Sequence, residues 1–172
     1  MLTDSINGIL GGNALYENRP IVILDITKYD YKVGESCKSP RVLVGEHALC
    51  RSGLTSLRND TLQLSTLYTG ITGIWNPYVM WYFNPFADKY MYTTPSSAHR
   101  NILVPTAERA LVEYIMLKEY FNEGILIEGL KNYLWRTDGE LSSLYTVAED
   151  FKLRKELIDF WVKEALEEND NE

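Results

Sequence analysis

The stretch Asn101-Ile-Leu-Val-Pro-Thr-Ala-Glu-Arg-Ala-Leu-Val-Glu113 divides the chain by the period of its hydrophobic pattern. Before Val104 the apolar residues come in short β-branched or alternating runs; after it they recur at helical spacing. Thr106 suits a helix N-cap, because its hydroxyl accepts from an unpaired backbone N–H. Glu108 falls in the first turn, where a carboxylate favours the helix dipole. Ala107, Ala110, Leu111, Tyr114 and Ile115 then form an apolar stripe predicted to run on to Phe121. Asn122 caps a second helix carrying Leu126, Leu130, Tyr133 and Leu134. Asp138 or Ser142 opens a third with Leu141, Leu144, Tyr145 and Ala148. A fourth is expected from about Arg154 to Glu168, burying Leu157, Phe160, Trp161 and Ala165, with the acidic tail EALEENDNE fraying.

Towards the N-terminus the signals are strand-like. Pro20–Ile26 is a compact β-branched run, and Pro40–Gly45 is a second, stopped by its glycine; a polar loop, TKYDYKVGESCKS, lies between them. Glu46–Ser52 reads as a short helix that Gly53 ends in the left-handed conformation. Asn59-Asp60 forms a turn before Thr61–Tyr68, which sets Leu62, Leu64 and Tyr68 on one face and Gln63 and Ser65 on the other, a half-buried strand. Trp75, Tyr78, Trp81, Tyr82, Phe83, Phe86, Tyr90 and Tyr92 crowd residues 75–92, where Asn84-Pro85 and Asp88-Lys89 predict a hairpin. Lys89 is the only basic residue there, so the segment reads as sheet core with a protein-contact remainder rather than a stacking platform for nucleic acid. The expected fold is a single α/β (α+β-like) domain over 1–172, strand-rich over 1–104 and helical over 105–172. It would have a mixed N-terminal sheet of about four to six strands closed by about four helices.

The bulk composition agrees. With 172 residues, 45% hydrophobic and 24% charged, the chain should bury roughly 70% of its unfolded surface and needs no staple. Cys37 and Cys50 are therefore read as thiols. The first twenty residues lack a basic n-region, and no run reaches the roughly 18 apolar residues of a membrane span, so the expected compartment is the cytoplasm. The net charge is −7, and residues 138–172 account for it, with eleven acidic against four basic side chains. Such a chain is not steered towards phosphate unless a local patch does the steering.

Chemistry-bearing groups are sparse. His47 and His99 have no partner at metal-ligand spacing, and Gly11-Gly12 lacks the lysine and helix of a phosphate loop. There is no Gly-x-Ser-x-Gly elbow; Ser96-Ser97 sits too close in sequence to His99 to present a nucleophile to its base, and no acid orients the pair. Glu108, Glu113, Glu123 and Glu128 fall at surface-like helical positions. The sequence predicts no catalytic, cofactor-binding or metal residues and no small-molecule substrate. It predicts a protein that binds a partner.

Two blocks carry a family resemblance. His47-Ala48-Leu49-Cys50-Arg51-Ser52-Gly53-Leu54, followed by Asn59-Asp60 and TLQLSTLY, resembles the short helix, Gly-Leu, turn and strand of AbiEi-type antitoxins. The 101–113 block resembles that family's strand leading into a helix that opens with Pro-Glu-Arg, and together the two span roughly residues 40–135. The resemblance implies an antitoxin domain of a type IV toxin–antitoxin or abortive-infection (phage-defence) system, countering a nucleotidyltransferase-like toxin without a tight, stable complex. Two departures qualify it. The twenty residues before Ile21 cannot hold the family's usual winged helix, and the toxin's Gly-Ser and Asp-x-Asp signature is missing, as expected of a non-enzymatic role.

A second reading is a DNA-binding transcriptional regulator using residues 141–167. Val147–Trp161 has helix-turn-helix spacing, with Ala148 at the close approach, Leu153 in the turn and Ile158 and Trp161 inward. Arg154, Lys155 and Lys163 would face DNA alongside Glu156 and Asp159. A plain helical hairpin has the same apolar spacing.

Overall fold

A computed structural model of the chain describes residues 24–25, 41–56, 61–66, 79–83, 89–95 and 102–170. It is a mixed α/β protein, the class the periodicity predicts. The strands are β1 (Leu24–Asp25), β2 (Arg41–Leu43), β3 (Thr61–Thr66), β4 (Val79–Phe83), β5 (Met91–Pro95) and β6 (Ile102–Pro105). β3 is the hub, antiparallel to β1 and β2 and parallel to β4. β2 also pairs in parallel with β6, which pairs antiparallel with β5. The aromatic segment is therefore not a hairpin: its two described strands join different partners, because distant ladder pairing outweighs the local turn residues. Cys37, His99, Ser96, Ser97, Asn59-Asp60, Trp75, Tyr78, Phe86 and the 27–39 loop lie outside the described residues.

Five described helices accompany the sheet: α1 (Gly45–Arg51), α2 (Ala107–Met116), α3 (Glu123–Arg136), α4 (Ser142–Asp150) and α5 (Lys155–Asp170). α2 packs against α1, α3, α4, α5 and β6, so its residues from Arg109 to Ile115 are all buried. Thr106 caps it, accepting from the Arg109 N–H at 3.2 Å. It stops at Met116 rather than Phe121. Leu117 leaves helical geometry to pack with Val44, and a single 3-10 turn, Lys118–Tyr120, follows.

The ends of α1, α3 and α4 share one device. The residue after the C-cap takes positive φ, and the next N–H bonds back to the helix. Gly53 (φ 76) ends α1, with the Leu54 N–H reaching the Leu49 carbonyl at 2.9 Å, and Leu54 is buried. Asp138 (φ 52) does this for α3, so it closes that helix instead of opening the next. Lys152 (φ 61) does it for α4. Asn122 caps α3 as expected, accepting from the Gly124 and Ile125 N–H groups at 2.7 and 3.3 Å.

Candidate interaction surface on the C-terminal helices

The protein places its charge in two settings. Inside, β3 is buried on both faces rather than half-buried: Gln63, Leu64 and Ser65 are all enclosed. The Gln63 amide oxygen accepts from the Glu46 N–H at 2.9 Å, capping α1 where Val44 has no side chain to do so. Gly45 (φ 72) allows this approach, since a Cβ there would overlap the Gln63 amide. Ser65 donates to the Val42 carbonyl at 3.3 Å and accepts from Arg109 Nη2 at 3.0 Å. Arg109 also donates through Nε to Glu113 at 2.7 Å and through Nη1 to the Lys89 carbonyl, and its guanidinium lies 5.3 Å from the Phe151 ring centroid. Both partners of the pair are 0% exposed, so Glu113 is not a surface residue. Its (i, i+4) spacing from Arg109 was visible in the sequence. That α2 is enclosed on all sides was not.

Outside, the setting reverses. α5 buries Ile158, Trp161, Val162 and Ala165, one face at helical spacing. Leu157 is only partly buried and Phe160 is 51% exposed, which corrects two of the four expected inward positions. Trp135 on α3 (84%) and Leu166 on α5 (51%) are also large exposed apolar residues. Between α3 and α5 lies an open groove of about 420 Å³ lined by Glu123, Gly124, Ile127, Trp161, Glu164, Glu167 and Glu168. Trp161 stacks edge-on with Phe160 at 5.1 Å, and Lys118 Nζ sits 5.7 Å from its ring centroid. Its Nε1–H is buried with no hydrogen-bond acceptor among the described residues. Lys131 pairs with Glu168 at 3.2 Å and Lys163 with Glu167 at 3.7 Å; Glu123 and Glu164 take part in no ion pair among the described residues.

The three basic residues of the helix-turn-helix reading are exposed. Arg154 and Lys155 sit together at the start of α5, with Lys152 in the preceding turn, and Lys155 Nζ lies 4.6 Å from the Tyr145 ring centroid. Lys163 stands two turns on, and Asp159 lies between it and Lys155 on the same face, accepting from the Tyr145 hydroxyl at 2.5 Å. That hydrogen bond, with burial second, pushes the Tyr145 phenol up to about 12. The acid interrupts the basic stripe.

His47 lies on the buried face of α1, a packing position. Cys50 is partly exposed and forms no disulfide among the described residues. Among the described residues no group of three His, Cys, Asp or Glu side chains is placed to hold a metal ion, and no described helix is long and apolar enough to cross a membrane. No protein-family model matches the chain, and no curated protein matches it.

Proposed function

We propose that this chain is a non-enzymatic, antitoxin-like or phage-defence-related binding protein of the cytoplasm, countering a nucleotidyltransferase-like toxin. The observation that carries the reading is the exposure of Trp135 on α3 and of Phe160 and Leu166 on α5, whose remaining surface is acidic. Large apolar side chains left in water among carboxylates suit a surface that another protein covers. A toxin that handles nucleotides or RNA carries basic surface for phosphate, and acidic helices complement it. The two sequence blocks that resemble AbiEi-type antitoxins point the same way. The test is co-expression with a nucleotidyltransferase-like toxin from an adjacent gene: the expected result is restored growth, and continued arrest overturns the reading.

The DNA-binding alternative draws on the four-residue turn between α4 and α5 and on the exposed trio Lys152, Arg154 and Lys155. It predicts salt-sensitive duplex binding. A gel shift unchanged by Arg154→Glu with Lys155→Glu removes it.

A further inference from the structure

We infer that the α3–α5 groove is a receptor for a short basic peptide segment of the partner, an arginine or lysine next to an aliphatic side chain. The inference rests on the protein-binding reading above and names the chemistry of the ligand. Three features select it. First, the groove has an apolar floor, Ile127 and Trp161, inside a rim of four carboxylates; among the described residues no lining residue is basic. Lys131 and Lys163 already answer Glu168 and Glu167, and Lys118 stands over the Trp161 ring. Glu123 and Glu164 face this cleft without an ion pair among the described residues, and they are the rim charges left for a ligand cation.

Second, Trp161 lines the groove while 5% exposed, and its buried indole N–H has no acceptor among the described residues. A buried donor without a partner costs roughly 1–3 kcal/mol, so a ligand that brings an acceptor gains by satisfying it. A peptide brings carbonyl oxygens as well as cationic side chains; a polyamine or a metal ion brings no acceptor. Third, about 420 Å³ of open space suits a few side chains of an extended or helical segment laid along two helices, not an enclosed small molecule.

The probe is a ten-residue peptide amide alternating arginine and leucine, titrated calorimetrically into the whole chain at low salt. Its matched control has glutamate in place of arginine, and spermidine supplies cations without an acceptor. The parent should bind the arginine peptide, weaken with added salt, and ignore the glutamate control. Glu123→Gln with Glu164→Gln, both exposed positions, should weaken it about tenfold with an unchanged melting temperature. Arg154→Gln with Lys155→Gln should not weaken it. No binding by the parent, equal binding by the glutamine pair, or spermidine binding as tightly as the peptide would each overturn the inference. Those results leave the growth-rescue experiment untouched, because another surface can carry toxin binding. Failed rescue, in turn, leaves the peptide titration standing.

Discussion

α2 and α5 look alike on paper, each an amphipathic helix with charges set among apolar residues, yet the protein uses their charges oppositely. α2 is enclosed by α1, α3, α4, α5 and the sheet, so Arg109 and Glu113 replace water with each other, and Arg109 also with Ser65, the Lys89 carbonyl and Phe151. α5 buries one face and leaves Glu164, Glu167, Glu168 and Lys163 in solvent, where ion pairs are weak and the charges are available to a partner. A charged residue's role is set by what encloses its helix, and the helix's own sequence does not state that.

The largest test of this contrast is to remove one buried partner. Arg109→Met or Glu113→Leu alone should destabilise by about 3–5 kcal/mol, since each removes one member of a buried ion pair. For a chain of this size that lowers the melting temperature by on the order of 10 °C. The double variant should recover much of the loss. If each single variant melts like the parent, the pair is not buried as described. Next in size is Trp161→Ala, expected to cost about 3 kcal/mol as a large buried truncation, against less than about 1 kcal/mol for half-exposed Phe160→Ala. Equal melting temperatures for these neighbours would reverse the assignment of α5's inner face.

Alkaline titration probes the same division through the tyrosines. Burial, with Glu46 nearby, raises the Tyr114 phenol, and burial followed by the Glu108 carboxylate raises Tyr133; the Asp159 bond holds Tyr145 at about 12 against an ordinary 10. Each folded-state value exceeds the unfolded one. The stability these groups contribute is thus fully present below pH 10 and lost as pH climbs through the folded values. Denaturant midpoints should be level up to about pH 10 and fall beyond it. Tyr145→Phe should soften the fall between pH 10 and 12; an unchanged profile would detach Tyr145 from Asp159. The smallest effects lie at the α4–α5 turn. Lys152→Gly should stabilise by on the order of 1 kcal/mol by removing a side chain from left-handed backbone, while Arg154→Ala and Lys155→Ala should stay within about 0.5 kcal/mol of the parent.

Much of this architecture was legible in the chain because its causes are local. Thr106 and Asn122 cap where hydroxyl and amide oxygens can reach free N–H groups, Gly53 turns where a left-handed residue is needed, and the change of period at Val104 marks the step from sheet to helices. What escaped was non-local. Asp138 and Lys152 occupy left-handed positions that glycine usually fills, so neither helix end is marked. Gln63 and Ser65 alternate like a solvent face but are covered by α1 and by Arg109. The groove needs α3 and α5, 18 residues apart at their nearest ends, to lie side by side; no pattern within either helix says that they do.

The most direct test of the account compares the parent and Glu123→Gln with Glu164→Gln in one measurement: the growth rate of cells expressing the adjacent-gene toxin. The parent should restore growth. The glutamine pair, equally stable because both carboxylates are exposed, should leave the cells substantially arrested. Arrest in the presence of the parent, or full rescue by the glutamine pair, would contradict the claim that the exposed acids of the C-terminal helices do the recognising.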